Sequence, residues 1–308
     1  MKTKTITASE FENIFGYVGK LTREYLKNGI ELQILNSYEV EEAFLLHGQL
    51  MKKKLQFSGP ARLGSWESGW EENLIFLKQN QDNALLPRYF GKYPYIRFKQ
   101  EFYGASEHVE LLCLRALLLN EIERQANGLK LERIVEFGCG TGHNLFFLNS
   151  KVPNLQYVGL DWTLTSSQVI QYAAKLYATK NISAGPIFDY YNPNYDFNLK
   201  VNDFVVTVAS LEQVGTKHSH FIDYLIAKKP GRVIHIEPEP SLLDNKNRFD
   251  KTSIDYMIMR GYLSNFYSEL KKREESGQIR IIRAQRSFLG SFPMDGYSIF
   301  VWKPINEA

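Results

Sequence analysis

Residues 133–142, RIVEFGCGTG, decide the fold of this chain of 308 residues. The first five, Arg133 to Phe137, favour a short buried strand, and the turn behind them has glycine at alternate positions. Because glycine lacks a Cβ, the main chain can bend sharply there and a ligand can approach it closely. The stretch therefore predicts a strand, a glycine-rich turn and a helix whose first N–H groups are free.

The chain beyond this turn continues as strands that alternate with helices. Apolar runs that predict strands alternate with segments of helical periodicity, and the last two runs predict an antiparallel pair. The predicted strands cover residues 156–161, 185–188, 203–209, 232–237, 278–286 and 297–303, and the predicted helices 143–150, 164–179, 217–228 and 250–275. This alternation is typical of an α/β fold, a Rossmann-like, doubly wound sheet that is mostly parallel, with an antiparallel closing strand.

The N-terminal part of the chain has a different character. Residues 105–126 predict one long helix with Ser106 as its N-cap, and residues 58–70 predict a loop because they are rich in glycine. Apolar residues recur at helical spacing in several further stripes: Phe11, Ile14, Phe15, Val18 and Leu21, then Leu32, Leu35, Val40, Phe44 and Leu45. We expect residues 1–127 to form a mainly helical cap that supplies acceptor specificity, and residues 128–308 to form the domain that contains the sheet.

Composition excludes several classes of protein. Hydrophobic residues make up 44% and charged residues 23%, which are ordinary globular values. The net charge of +3 does not call for nucleic acid or an anionic membrane as a partner. Cys113 and Cys139 are too few for a disulfide framework or a cysteine-rich zinc site. Since neither a membrane-spanning run nor a secretory signal is evident, we expect a cytoplasmic protein; a homodimer stays open.

A ligand is expected at the carboxyl ends of the parallel strands, where the strand order reverses. A Walker phosphate loop is excluded, since no Gly-Lys-Ser or Gly-Lys-Thr follows the turn, and the dinucleotide fingerprint fits poorly because His143 replaces its last glycine. An adenosine-like ligand with a zwitterionic tail remains. Asp161 could then accept hydrogen bonds from both ribose hydroxyls, Trp162 could cover an adenine face and Asp189 could lie near the adenine amino group. Equally, Asp161 could cap a helix, Trp162 could belong to the core and Asp189 could be solvated.

Residues 131–303 resemble the class I S-adenosylmethionine-dependent methyltransferases. The resemblance covers the motif VEFGCGTG, the acids after the second and third strands, and the antiparallel closing pair. It implies S-adenosyl-L-methionine as the cofactor, with these residues near it: Gly138, Gly140 and Gly142 at the methionine part, Asp161 at the ribose and Asp189 at the adenine. Further candidates for binding the cofactor are Glu136, Trp162, Ser210 and Tyr103.

Methyl transfer requires mainly that acceptor, methyl carbon and sulfur are held in line. A general base is needed only where the acceptor atom carries a proton. The candidates follow the fourth and fifth strands and are Glu212, His218 and Glu237. For His218 a surface or capping role is the alternative, and we expect no metal site.

The implied reaction moves a methyl group to an oxygen or nitrogen of a small or medium acceptor, and the large N-terminal region suggests tailoring of a natural product or sugar. Residues 210–213 read SLEQ where nucleobase amino-methylating enzymes carry Asn/Asp-Pro-Pro-aromatic, so DNA methylation is disfavoured. The rings and cations of residues 88–103 could bind RNA, line a small-molecule pocket or pack a cap. An RNA or protein methyltransferase and a non-catalytic cofactor-binding scaffold therefore remain as alternatives.

Overall fold

The computed structural model describes residues 2–305, which form two sheets and ten α-helices within that range. The strands are β1 (Thr3–Ile6), β2 (Ile30–Ile34), β3 (Tyr95–Phe98), β4 (Glu101–Gly104), β5 (Arg133–Phe137), β6 (Gln156–Leu160), β7 (Ile182–Ala184), β8 (Asp203–Val208), β9 (Arg232–Glu237), β10 (Ile279–Gln285), β11 (Leu289–Ser291) and β12 (Ser298–Pro304). The helices are α1 (Ala8–Phe15), α2 (Lys20–Tyr25), α3 (Ser37–Met51), α4 (Leu63–Lys78), α5 (Val109–Ala126), α6 (His143–Lys151), α7 (Leu164–Leu176), α8 (Ser219–Lys228), α9 (Arg248–Arg260) and α10 (Phe266–Glu275).

The larger sheet has seven strands in the order β10-β12-β9-β8-β5-β6-β7. Strands β7, β6, β5, β8 and β9 are parallel to one another, while β12 runs antiparallel between β9 and β10. The chain order turns around at β5, so a crevice for a ligand opens beyond the carboxyl end of that strand. The predicted doubly wound, mostly parallel sheet with an antiparallel closing strand is confirmed.

Both faces of this sheet are buried, as a parallel sheet requires. All six residues of β8 are buried, and successive residues face opposite hydrophobic clusters. Phe204 and Val206 belong to the cluster that contains much of α5, whereas Val205 packs with residues of α8 and α10. The central strands are therefore continuous apolar runs, since neither face of the sheet is in contact with water there.

The N-terminal part contains a second sheet that the helical stripes did not predict. It has five antiparallel strands in the order β1-β2-β4-β3-β11, and its last strand comes from the C-terminal part of the chain. Leu32, which we assigned to a helix, lies in β2. Strands of four or five residues are too short for the helical repeat of apolar residues to be distinguished from the alternating repeat of a strand. The division at residues 127 and 128 stays a prediction.

Four further boundaries differ from expectation. The predicted loop at 58–70 is a 3-10 turn, Pro60–Arg62, that leads into α4. Gly261, with φ of 62°, ends α9 and splits the predicted helix 250–275 in two. Helix α5 begins after His108 rather than at Ser106. The third parallel strand, β7, ends before the predicted 185–188 segment. Among the helices within residues 2–305, none is long and apolar enough to cross a membrane.

Candidate functional site

A cleft of about 740 Å³ opens at the carboxyl ends of β5, β6 and β8. We call it the glycine-turn cleft. Seven residues named from the sequence line it: Glu136, Gly138, Gly140, Asp161, Trp162, Asp189 and Ser210. The structure therefore brings together most of the residues that the resemblance places at a cofactor.

Two glycines of the turn leave no room for a side chain. Gly138 and Gly140 have φ of +66° and +54°, a region that side chains disfavour. A Cβ on Gly138 would lie 2.5 Å from the Cβ of Ser210, and one on Gly140 would lie 2.8 Å from the ring of Trp70. The main chain of the turn thus forms the floor of the cleft.

Gly142 differs from the other two glycines because it does not line the cleft. It is the N-cap residue of α6, with φ of +74°. A Cβ there would lie 2.9 Å from the side chain of Ile170, which belongs to α7. Its place is the packing between the two helices, which corrects the expectation that it approaches the ligand.

Asp161 fixes the turn against the start of α7. Its carboxylate accepts hydrogen bonds from the N–H of Gly140 at 2.9 Å, the N–H of Thr163 at 3.0 Å and the hydroxyl of Thr163 at 2.8 Å. Thr163, not Asp161, is the N-cap residue of the helix. The carboxylate is 5% exposed, and burial raises its pKa against the opposing effect of these hydrogen bonds. A carboxylate has about four lone-pair sites, so Asp161 can accept further hydrogen bonds from the cleft.

Several buried polar atoms around Glu136 lack a partner within residues 2–305. Glu136 Oε1 accepts a hydrogen bond from Asn144 Nδ2 at 2.7 Å, whereas Oε2 has no partner. The same holds for Asn144 Oδ1 and His143 Nδ1. Burial raises the pKa of Glu136 to about 8. Because buried polar atoms are nearly always paired in folded proteins, this group points to a polar ligand with hydrogen-bond donors.

Residues that follow β7 and β8 complete the lining of the cleft. Asp189 Oδ1 accepts a hydrogen bond from the N–H of Tyr191 at 2.9 Å, which orders the loop after β7. Ser210 donates to the carbonyl of Phe137 at 3.1 Å, and its hydroxyl is 3.0 Å from that of Tyr190. Ser210 therefore ties the end of β8 to the end of β5.

Helix α4 forms a wall of the cleft that the sequence reading missed. Trp66 and Trp70 stack with centroids 5.5 Å apart, and both line the cleft. Glu67 accepts a hydrogen bond from the N–H of Thr165 at 3.0 Å, at the start of α7. The signal was the i, i+4 spacing of the tryptophans, which the neighbouring glycines obscured.

A second cavity of about 1030 Å³ adjoins the cleft, and Trp66, Tyr89 and Ala209 line both. We call it the tyrosine chamber. Its other aromatic residues are Tyr93, Tyr95, Tyr256, Tyr262, Phe292 and Tyr297, and its charged residues are Arg62, Lys92, Glu110, Glu212 and Arg260. These residues come from both ends of the chain, so no local motif could have predicted the chamber.

Glu212 lines the chamber from the 3-10 turn Leu211–Val214. Its side chain is 6% exposed, Oε1 accepts a hydrogen bond from Gln213 Nε2 at 2.9 Å, and Oε2 has no partner within residues 2–305. Burial raises the pKa of Glu212 to about 8, and the nearby guanidinium groups of Arg260 and Arg62 oppose that rise. This carboxyl group can therefore exchange a proton near neutral pH.

Glu237 holds the turn that carries Glu212. Its carboxylate accepts hydrogen bonds from the N–H groups of Ser210, Leu211 and Glu212 at 3.0 to 3.2 Å. It is fully buried and lines neither cavity. The structure therefore corrects its assignment as a catalytic candidate, because both oxygens face the protein's own main chain and Glu237 acts as a positioning residue.

Two other candidates also lie outside both cavities. His218 Nε2 is 3.1 Å from the carbonyl of Ser264, and burial lowers the pKa of its ring. Tyr103 lies in β4 and donates a hydrogen bond to Glu101 at 2.5 Å. Packing explains both residues, which corrects the catalytic role expected of His218 and the cofactor contact expected of Tyr103. Within residues 2–305, no three His, Cys, Asp or Glu side chains are grouped so that they could hold a metal ion.

Comparison with known proteins gives similarity in structure only. No protein-family profile matches the chain, and no curated protein matches it. The [4+2]-cyclase SpnF has 11% identity and a TM-score of 0.50, covering 82% of this chain and 100% of that chain. The N-methyltransferase NodS from Bradyrhizobium japonicum WM9, in complex with S-adenosyl-L-homocysteine, has 12% identity and a TM-score of 0.45, covering 76% and 100%. Magnesium protoporphyrin IX methyltransferase ChlM from Synechocystis PCC 6803 has 13% identity and a TM-score of 0.46, covering 63% and 83%.

At these identities the comparison concerns the fold. The strand order turns around at β5, β12 closes the sheet in the antiparallel sense, and the glycine turn opens onto the cleft. These features are the ones that the resemblance to the class I S-adenosylmethionine-dependent methyltransferases predicted for the sheet, and the similarity to SpnF is one of fold alone.

Proposed function

We propose that this chain is an enzyme that transfers the methyl group of S-adenosyl-L-methionine to an oxygen or nitrogen of a small or medium acceptor. The observation that carries the proposal is the junction of two cavities. The glycine-turn cleft suits the cofactor and the tyrosine chamber suits the acceptor, with Trp66, Tyr89 and Ala209 in the wall of both. When bound, the cofactor supplies a methyl group already activated by a positively charged sulfur.

The residues of the cleft fit the polar groups of this cofactor. Glu136 Oε2 and Asn144 Oδ1, which lack partners within residues 2–305, would accept hydrogen bonds from an ammonium group. Asp161 would accept them from the ribose hydroxyls. Trp162 and Asp189 line the same cleft and would contact the base. Together they would hold the cofactor in one orientation, which is the main requirement for methyl transfer.

Glu212 would accept the proton that the acceptor atom loses. Glu212 lines the chamber, and its Oε2 has no hydrogen-bond partner among residues 2–305. Burial raises its pKa to about 8. A general base works best when its pKa is near the working pH. Glu237 would keep Glu212 in place through the hydrogen bonds that it accepts from three main-chain N–H groups.

The aromatic side chains and few polar groups that line the chamber favour a small acceptor over RNA or protein. We therefore propose that the enzyme modifies a natural product or a sugar, and that it acts in the cytoplasm. The fold alone does not decide the reaction, because SpnF is named a [4+2]-cyclase. A chain that keeps the cofactor without methyl transfer is thus the second candidate.

Calorimetry with S-adenosyl-L-methionine tests the cofactor site. Gly140→Arg would fill the cleft, because even a Cβ there meets Trp70. Gly128→Arg is the matched control, since Gly128 also has positive φ but an added Cβ meets nothing within 4 Å. Binding that is lost in Gly140→Arg and kept in Gly128→Arg supports the proposal. No binding by the wild-type chain contradicts it.

Incubation of cell extract with methyl-labelled cofactor tests the reaction. Sizing of the labelled product separates a small acceptor from RNA or protein. Glu212→Gln should bind the cofactor normally but transfer about 10²–10⁴-fold more slowly. In the wild type, the transfer rate should rise with pH up to about 8, where Glu212 loses its proton, and this rise should be absent in the variant. Cofactor binding without any labelled product would favour the non-catalytic candidate.

A further inference from the structure

We propose that the tyrosine chamber takes a flat, ring-bearing acceptor with an anionic group, carboxylate or phosphate, which Arg62 and Arg260 bind. The inference rests on the proposed function, because it names the acceptor class of the same site.

Arg260 presents part of its guanidinium to the chamber. The residue is 8% exposed, and its Nε and Nη1 donate to the carbonyl of Gln56 at 3.0 Å and the hydroxyl of Tyr256 at 3.1 Å. Within residues 2–305, Nη2 makes no hydrogen bond. Its guanidinium carbon lies 4.9 Å from the ring centroid of Tyr262. The position of this cation is therefore fixed, while one of its donor nitrogens remains free for a ligand.

Arg62 is the second cation of the chamber and is held only loosely. Its Nη1 lies 3.4 Å from Gln213 Oε1, and its buried Nε has no partner within residues 2–305. Its guanidinium carbon lies 4.7 Å from the ring centroid of Trp66. A guanidinium offers donors in a planar fork that matches carboxylate and phosphate oxygens, so the free donors of both arginines suit an anion.

The carboxyl groups of the chamber neutralise these cations only in part at neutral pH. Burial raises the pKa of Glu212 to about 8, so its protonated form predominates at pH 7. Burial also raises the pKa of Glu110 to about 7, although a hydrogen bond from Tyr297 at 2.5 Å opposes the rise. Buried charges are normally paired. Because the lining holds three cations, Arg62, Lys92 and Arg260, against two partly ionised carboxyl groups, the chamber has an excess of positive charge that an anionic acceptor would balance.

Aromatic side chains enclose the rest of the chamber. Phe292 packs with its centroid 5.6 Å from that of Tyr95, and Tyr256 lies 6.1 Å from Tyr262. Cavities lined by rings with a few fixed polar groups favour flat, largely apolar ligands. The acceptor should therefore combine a ring, a proton-bearing oxygen or nitrogen near Glu212, and an anionic group at the arginines.

Calorimetry with ring compounds of different charge tests this inference. The probes are p-hydroxybenzoate, p-hydroxybenzamide and p-hydroxybenzylamine, titrated at neutral pH with and without S-adenosyl-L-homocysteine. We expect the benzoate to bind at least about tenfold more tightly than the amide, which is the step expected for one good charged contact. Phenyl phosphate provides a separate arm that distinguishes phosphate from carboxylate as the preferred anion.

Arginine variants assign the preference to the chamber. Arg62→Gln and Arg260→Gln should each reduce the preference for benzoate over benzamide by about tenfold or more. Arg88→Gln is the matched control, because Arg88 is exposed, lies over Phe76 and pairs with Glu72. Thermal unfolding and binding of S-adenosyl-L-homocysteine show whether each variant keeps its fold.

The outcomes separate this inference from the proposed function. Equal binding of benzoate and benzamide, tightest binding of the benzylamine, or no binding of any ring compound at millimolar concentration would each overturn the inference. A preference for the anion that survives in both chamber variants would overturn it as well. Failure of S-adenosyl-L-homocysteine to bind would instead contradict the proposed function. The titrations without S-adenosyl-L-homocysteine would still measure the charge preference of the chamber.

Discussion

Replacing Glu212 by glutamine should change how the stability of the ligand-free protein depends on pH. Burial raises the pKa of Glu212 from its ordinary 4.5 to about 8, so the folded protein holds this proton more tightly than the unfolded chain does. The contribution of this group to stability is therefore complete below about pH 4.5 and is lost as the pH rises towards 8. Glutamine has no proton to lose in this range.

The size of the effect follows from the shift in pKa. At about 1.4 kcal/mol per unit, a rise from 4.5 to about 8 corresponds to an upper bound of about 5 kcal/mol. Urea unfolding of wild type and Glu212→Gln at about pH 5 and again at about pH 8 measures it. The free energy of unfolding of the variant, relative to wild type, should rise by about 2–5 kcal/mol between the two conditions.

Glu275→Gln provides the control, because Glu275 is exposed at the end of α10. Its stability should follow that of the wild type at both pH values. If the Glu212→Gln curve also runs parallel to that of the wild type, the folded protein does not hold Glu212 in its protonated form. The assignment of Glu212 as a base that works near neutral pH would then be refuted.

Two further outcomes follow from the packing. Gly128→Ala should cost about 1–2 kcal/mol of stability from its positive φ, and Gly138→Ala should cost more, because its Cβ would also lie 2.5 Å from the Cβ of Ser210. Only Gly138→Ala should weaken cofactor binding, by about tenfold or more, because its Cβ displaces the cleft wall. Calorimetry measures the difference, and equal binding by the two variants would contradict the geometry. Arg286→Gln should destabilise the fold by about 3–5 kcal/mol, because it leaves the buried carboxylates of Asp250 and Asp295 without the guanidinium that pairs with both. A change below about 1 kcal/mol in the free energy of urea unfolding would show that this cluster contributes little to stability.

The central sheet was predictable because its determinants are local. Parallel strands that are buried on both faces are continuous apolar runs, and a glycine turn after one of them is visible in the sequence alone. The floor of the cleft, from Gly138 to Gly140, and Asp161 at the end of the next strand follow from that pattern. Their position at one edge is a consequence of parallel strands ending together.

The remaining parts of the site depend on contacts between distant segments. Helix α4 was missed because Gly64 and Gly69 favour a loop in a local reading, whereas Trp70 is buried against the cleft in the fold. The role of Glu237 could not be read either, since a carboxylate after a strand can face a ligand or the protein's own N–H groups. Only the fold shows that Glu237 faces the protein's own N–H groups.

The strand β11 makes the five-stranded sheet depend on a distant part of the polypeptide. Leu289, Gly290 and Ser291 form the edge strand of this sheet by pairing with β3. A fragment that ends before β11 would lack that tripeptide, and β3 would then present an unpaired strand edge prone to aggregation.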